Sequence, residues 1–209
     1  MKLIGAEMFD VLTNIIDELR DASSICIYKA GKMGGKRVPI LVAREANGKL
    51  LRELRQLDGL RAMSAGSIRR WEANDNIDVG DVDIVVAISD ESKREGVFEF
   101  LSIFFDKDQK VGQKGSWVWK DYDIQVDVEV VLEESFGAAL LFATGSKTFN
   151  IQTRALARAK GMKLNRYGLF FGDERIAGER EGDIFAKLGL KWIPPEEREH
   201  LDIGAAPGS

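Results

Sequence analysis

The stretches 65–70, AGSIRR, and 79–86, VGDVDIVV, place a glycine-serine turn before a strand that carries two aspartates. Asp81 and Asp83 are two residues apart, so both carboxylates point to one face of the strand. Gly66 and Ser67 begin a short helical stretch whose N–H groups and hydroxyl suit phosphate oxygens, and Arg70 lies one turn further on. Each motif alone is also compatible with a solvated strand face or an ordinary turn. Together they favour a phosphate site beside a carboxylate pair.

A third carboxylate follows in residues 125–130, QVDVEV. Gln125, Asp127 and Glu129 share one face of this predicted strand, and valines form the other face. If the two aspartate strands are neighbours, three carboxylates converge. Such a group repels itself without cations, and its oxygen ligands suit Mg²⁺. Two metal ions held there activate a hydroxyl and hold a triphosphate for in-line displacement.

Composition excludes several other chemistries. The chain has 209 residues, 44% of them hydrophobic, with one cysteine and one histidine. An internal disulfide is excluded, and a zinc site or a His-based catalytic triad is disfavoured. We find no membrane-length apolar segment and no signal peptide, so we expect no membrane partner and a cytoplasmic location in a bacterial or phage-infected cell.

The net charge of −4 hides an uneven distribution. Residues 144–170 contain six basic and no acidic residues. This segment is compatible with a phosphate-rich polymer and equally with a solvated helix face.

Periodicity predicts a mixed α/β sheet domain followed by a smaller, mainly helical one. The expected elements of the second domain are two helices, short strands and one more helix. Those of the first are a helix over 9–20, two strands around a Gly/Lys turn at 30–36, a helix over 49–57, strands that carry the aspartates, and a helix over 91–105 between those strands.

A family resemblance rests on these same residues. The turn and the Asp-x-Asp strand resemble the nucleotidyltransferase core motif. Residues 134–170 and 182–199 resemble the thumb of family X DNA polymerases, and KRVP at 36–39 resembles the segment that opens their palm. The resemblance implies an α+β fold with a catalytic palm over 1–132, including an extension over 1–35. A thumb over 133–201 and a flexible tail over 202–209 complete the expected organisation.

The resemblance also implies roles for individual residues. Asn150, Arg154 and Arg158 additionally follow helical spacing and form one polar stripe. The catalytic and metal-binding residues would be Asp81, Asp83 and Asp127, which hold two Mg²⁺ ions, with Mn²⁺ as a substitute. The nucleotide-binding residues would be Arg37, Gly66, Ser67, Arg70, Gly80, Phe142, Gly145 and Asn150. The DNA-binding residues would be Lys147, Arg154, Arg158, Lys163, Arg166 and Tyr167.

By this resemblance the chain is a monomeric, template-directed DNA polymerase that takes dNTPs and primer-template or gapped DNA. Short-gap filling in DNA repair or phage replication is the expected setting, without the lyase and phosphoesterase domains of larger members. Two alternatives stay open. One is another nucleotidyltransferase, template-independent or acting on RNA, protein or a small molecule, and the other is a catalytically silent DNA-binding protein.

Two departures from the family pattern concern charge. Glu129 stands where the family usually has arginine, and Arg166 stands where it usually has an acid. We predict that these two residues pair with reversed sign. Gln125 replaces a usual basic residue two positions before Asp127, which predicts weaker assistance to the primer end.

Overall fold

A mixed five-stranded sheet forms the first half of the described chain. The computed structural model describes residues 37–105, 108–111, 113–201 and 203. The sheet order is β2-β4-β7-β6-β5, and only the central β4–β7 pair is parallel. Its strands are β2 (Arg61–Ser64), β4 (Asp81–Ile88), β5 (Asp108–Val111), β6 (Lys114–Trp119) and β7 (Ile124–Leu132), and a separate short pair joins β1 (Val38–Pro39) to β3 (Asp78–Val79).

Three α-helices accompany this sheet, and the first of them corrects a prediction. A strand is predicted over 37–43, after the turn, and a helix only from Lys49, but the strand is limited to Val38–Pro39. The helix instead begins at Ile40, directly after Pro39. Its buried positions recur every three or four residues, so packing of one helical face outweighs the local preference of the β-branched run. The helices are α1 (Ile40–Gln56), α2 (Gly66–Arg70) and α3 (Arg94–Ser102).

The second half packs helices against a small antiparallel sheet of order β10-β9-β8. Its core contains the fully buried rings of Phe149 and Phe185 together with Leu169. Its elements are α4 (Phe136–Thr144), α5 (Lys147–Ala159), β8 (Met162–Asn165), β9 (Gly168–Phe171), β10 (Glu174–Ala177) and α6 (Glu181–Lys187).

This architecture is the predicted α+β fold, a mixed sheet with flanking helices followed by a mainly helical part with a short sheet. The predicted helix over 9–20, the turn over 30–36 and most of the tail lie outside the described residues. Among the helices of the described segments, none combines the length and apolar character that crossing a membrane requires.

Candidate active site

Three aspartates lie together on one side of the main sheet. Asp81 and Asp83 occupy alternate positions on β4, and the parallel register with β7 sets Asp83 directly opposite Asp127. The two strands are neighbours, as the sequence analysis required, and their pairing gathers the three carboxylates. We call Asp81, Asp83 and Asp127 the acidic cluster.

Burial and repulsion raise the pKa of two members of the acidic cluster. The pKa of Asp83 rises to about 7, first because burial disfavours its charged form and then because the charges of Asp81 and Asp127 repel it. Burial and the charge of Asp127 likewise raise the pKa of Asp81. The cations nearby therefore leave excess negative charge in the cluster, which favours a further cation.

Asp127 has different surroundings, because three side chains donate hydrogen bonds to it. Lys114 Nζ lies 2.6 Å from Oδ2, while Ser116 Oγ and Gln125 Nε2 lie 2.6 and 2.9 Å from Oδ1. Burial acts to raise the pKa of Asp127, but these donors, Lys114 foremost, lower it below its ordinary value. Asp127 is thus held as an oriented, ionised carboxylate.

The chemistry of these ligands fits a divalent cation. Carboxylate oxygens are the ligands that Mg²⁺ prefers, and the excess negative charge attracts it. As the side chains stand, however, no three His, Cys, Asp or Glu residues of the described segments are arranged to hold a metal ion. In this arrangement both oxygens of Asp127 accept hydrogen bonds from side chains.

Gly66 lets the turn at the start of α2 lie directly against Asp83. Its φ angle is +56°, and a Cβ atom added there would lie 2.0 Å from Asp83 Oδ2. The backbone N–H of Ala65 also donates to the carbonyl oxygen of Asp83 at 2.8 Å. Only glycine satisfies both the backbone angle and the close approach, so the turn and the Asp-x-Asp strand form one unit.

A cavity of about 340 Å³ opens between this unit and the helices of the second half. Its volume lies at the lower end of the range of roughly 300–1,000 Å³ that is typical of small-molecule sites. The sheet side presents two carboxylates, one guanidinium group and a hydroxyl, contributed together with the turn glycine by Gly66, Ser67, Arg70, Asp81 and Asp83.

The helical side of the cavity carries cations and an amide. Asn150 Nδ2 donates to the carbonyl oxygen of Phe142 at 2.8 Å, and Arg154 Nε donates to the carbonyl oxygen of Asn150 at 3.0 Å. The bond from Asn150 to Phe142 joins the start of α5 to the end of α4, and the bond from Arg154 lies within α5. The predicted site residues that line this side are Phe142, Gly145, Lys147, Asn150 and Arg154.

The remaining predicted residues lie outside the lining of the cavity. Arg37 donates to the carbonyl oxygen of Asp78, and its charge acts to lower the pKa of Asp81. Arg158 and Lys163 are exposed on the second half, and Tyr167 is 46% exposed. Gly80, next to Asp81, has open space where a side chain would stand.

The predicted pair of Glu129 and Arg166 is present. Arg166 Nη1 lies 3.0 Å from Glu129 Oε1, and its guanidinium group stands 4.7 Å from the centre of the Phe142 ring. Burial raises the pKa of Glu129, while the charge of Arg166 acts to lower it. Arg166 therefore joins a strand of the main sheet to the second half and is engaged inside the protein.

Sequence reasoning missed several charged partners around the site. Arg70 Nε lies 2.7 Å from Glu199 Oε2, and its Nη1 lies 2.5 Å from the carbonyl oxygen of Thr144. Lys114 and Ser116 were also missed, although their spacing places both on one face of β6. Only the fold reveals which face that is.

A second missed group is buried beside the turn. Arg69 makes two hydrogen bonds to Glu181, at 2.9 and 2.7 Å, and Arg198 Nη1 donates to Glu181 at 2.8 Å. We call Arg69, Glu181 and Arg198 the arginine–glutamate network. The three residues are far apart in sequence, and no local pattern links them.

Comparison with known proteins places these features in context. A family model described as the DNA polymerase beta thumb matches residues 139–199. The chain is 32% identical over 180 residues to the DNA polymerase/3′-5′ exonuclease PolX of Bacillus subtilis (strain 168), an alignment that covers 82% of this chain and 30% of that protein. It is 31% identical over 170 residues to DNA polymerase lambda of Rattus norvegicus, covering 68% of this chain and 29% of that protein.

A viral relative is covered almost completely. The chain is 30% identical over 166 residues to the repair DNA polymerase X of African swine fever virus (isolate Tick/South Africa/Pretoriuskop Pr4/1996), covering 75% of this chain and 90% of that protein. The chain thus spans less than a third of the bacterial and rat relatives but nearly the whole length of the viral one.

Proposed function

Because this chain belongs to the family X DNA polymerases, we propose that it is a template-directed polymerase. It would transfer a dNMP unit from a dNTP to the 3′-hydroxyl of a primer and release pyrophosphate, filling short gaps in primer-template or gapped DNA. The observation that carries this proposal is the cavity with two carboxylates on its sheet side and Arg70, Lys147 and Arg154 around it. A nucleoside triphosphate with its cations matches that distribution of charge.

Asp81, Asp83 and Asp127 would hold two Mg²⁺ ions, for which Mn²⁺ is a plausible substitute. Bound there, the ions would lower the pKa of the attacking hydroxyl and stabilise charge on the phosphates. Asp81 and Asp83 face the cavity, so they would bind the triphosphate side. Asp127 lies outside the lining and would orient the primer end.

The phosphates would meet the turn and the first residues of α5. Ser67 offers a hydroxyl, and Arg70 and Lys147 offer cationic donors that suit phosphate oxygens. Arg70 is engaged by Glu199 and by the Thr144 carbonyl oxygen, so the triphosphate would displace the Glu199 carboxylate from it. Arg37, beside Asp81, would add charge at the mouth of the site.

The DNA would run along the exposed basic face of the second half. Asn150 and Arg154 line the cavity, and Arg158 continues their stripe along α5. Contacts from such a stripe to the minor groove report the shape of a base pair more than its identity. Lys163 and Tyr167 are exposed and would extend the contact to the backbone. In this proposal residues 1–132 serve as the palm and 133–201 as the thumb.

Primer extension with single nucleotides tests the proposal. A one-nucleotide gap and the primer strand alone are each incubated with Mg²⁺ and one dNTP at a time. We expect extension on the gap by the complementary dNTP only. Asp127→Ala should abolish it, since removal of a catalytic carboxylate typically lowers the rate by orders of magnitude. Asp173→Ala, on an exposed turn, is the matched control and should retain the activity.

The same assay separates the alternatives. Extension of the primer strand alone by any dNTP would indicate template-independent transfer. Binding of DNA without extension under either condition would contradict the polymerase assignment and favour a silent DNA-binding protein.

A further inference from the structure

Lys114 occupies an oxygen of Asp127 that a metal ion would need. We infer that Lys114 is a positioning residue, whose ammonium group holds Asp127 in the metal-free protein and competes with the divalent cation for Oδ2. The inference rests on the proposed function, because it takes Asp127 as a metal ligand. Nothing in the sequence pattern singled out Lys114, and its role emerges from the pairing of β6 with β7.

The two oxygens of Asp127 are engaged differently. Oδ1 accepts from two neutral donors, Ser116 and Gln125, which fix the orientation of the carboxylate. Oδ2 accepts from Lys114, and this ion pair is 2.6 Å long. A cation that binds Asp127 with the carboxylate kept in this orientation therefore meets Lys114 at Oδ2, where the two positive charges repel each other.

Lys114 can leave without unfolding anything. Its side chain is 45% exposed, whereas that of Asp127 is 10% exposed. The long stem of lysine is flexible, and its ammonium group is readily hydrated. The residue directly opposite Lys114 on β7 is Glu129, whose charge also attracts it. Once a metal ion is bound to Asp127, the Lys114 ammonium group can lie in solvent or beside Glu129.

Repulsion within the acidic cluster gives a physical reason for a lysine at position 114. Asp83 lies directly opposite Asp127, and Asp81 is two residues before Asp83 on the same face, so the three like charges repel one another. A lysine on Asp127 stabilises the third carboxylate without a metal ion. Lys114 therefore stabilises the metal-free protein. It also makes the affinity for a metal ion lower than the three carboxylates alone would give.

Mn²⁺ titration of the full-length chain, without DNA or nucleotide, tests this competition through the EPR signal of free Mn²⁺. Lys114→Met should bind Mn²⁺ about tenfold more tightly than the unaltered chain, because one repelling charge is gone. Lys114→Gln, which loses the charge but keeps a donor, should shift affinity the same way. Ser116→Ala removes a neutral donor and should not tighten binding, and Lys191→Met controls for the loss of one surface charge.

Thermal unfolding supplies the second readout. In EDTA, Lys114→Met should unfold at a lower temperature than the unaltered chain. Saturating Mn²⁺ should raise the unfolding temperature of Lys114→Met by more than it raises that of the unaltered chain. Equal Mn²⁺ affinity in the unaltered chain, Lys114→Met and Lys114→Gln would overturn the inference.

Asp127→Asn separates this failure from failure of the proposed function. If Asp127→Asn weakens Mn²⁺ binding while both Lys114 variants match the unaltered chain, only the competition is wrong. If Asp127→Asn leaves Mn²⁺ binding unchanged, the metal-ligand role of Asp127 is wrong, and the inference falls with it.

Discussion

Two clusters of buried charge lie on either side of the turn at Gly66, and they are built on opposite principles. In the arginine–glutamate network, one carboxylate meets two guanidinium groups, and the side chains of Glu181 and Arg198 are 7% and 0% exposed. Burial acts to raise the pKa of Glu181, but the two arginines bring it below its ordinary value. In the acidic cluster, Lys114 forms an ion pair with Asp127, while burial and repulsion raise the pKa of both Asp81 and Asp83.

The comparison distinguishes buried charges that have partners within the protein from buried charges that would attract a ligand. The Glu181 carboxylate already has two cationic partners, so it attracts no further cation. A buried group whose charge is left in excess is destabilising until something binds, which is typical of catalytic sites. The turn connects the two clusters, because Arg69 belongs to the arginine–glutamate network while Arg70, the next residue, faces the cavity.

Removal of the only carboxylate in the arginine–glutamate network should have the largest effect on stability. Glu181→Gln leaves Arg69 and Arg198 buried around a neutral amide, and loss of one partner of a buried ion pair costs about 3–5 kcal/mol. Urea unfolding measures the loss, with Glu174→Gln, on an exposed strand position, as the control. A loss below about 1 kcal/mol would contradict the structural role of the network.

Removal of a carboxylate from the acidic cluster should instead increase the stability of the protein. Asp83 has a pKa of about 7 when folded against an ordinary 3.8, so the folded state binds this proton more tightly than the unfolded state. Protonated Asp83 therefore contributes to stability at low pH, and this contribution is lost as pH rises from about 4 to 7. In EDTA, the stability advantage of Asp83→Asn over the unaltered chain should be about 2–3 kcal/mol greater at pH 8 than at pH 5.

Unfolding curves at the two pH values measure this difference. Asp173→Asn, on an exposed turn, is the control for loss of one carboxylate. An advantage of Asp83→Asn that is equal at pH 5 and pH 8 would show that the cluster is not in charge excess, and the contrast between the two clusters would fail.

The Glu129–Arg166 pair is one buried carboxylate with one partly exposed cation, and its substitution should give the smallest change in free energy. Glu129 is buried, while the Arg166 side chain is 34% exposed. Glu129→Arg or Arg166→Glu should each slow nucleotide incorporation, and the double reversal should recover most of the rate. We expect a coupling energy of about 1–2 kcal/mol from single-turnover rates. Losses that simply add in the double variant would show that the pair is not a functional unit.

Sequence patterns predicted the part of this molecule that depends on local periodicity. Alternation predicted that Asp81 and Asp83 share one face and would meet Asp127 if their strands were neighbours, and helical spacing predicted the polar stripe on α5. The family resemblance added the roles of these residues. The part of α1 from Ile40 to Gly48 was missed, because a short apolar run fits a strand or a helix equally well. Its helical period becomes visible only over the longer span to Leu54.

The partners of the charged residues were not predictable in the same way. Lys114 meets Asp127 across a strand pair, and Glu199 meets Arg70 from a distant part of the chain, so each contact depends on the finished packing. The pairing of Glu129 with Arg166 was the exception, because both residues departed from the family pattern together. A compensating pair of substitutions carries spatial information that a single residue does not.

The ion pair between Arg70 and Glu199 joins residues 129 positions apart in the chain. Synthesis on the ribosome runs from the N-terminus, and contacts of such separation close late. Arg70 and the aspartates of the main sheet are therefore made well before the glutamate that covers Arg70. Until residue 199 has been made, Arg70 therefore lacks the carboxylate that partners it in the finished protein.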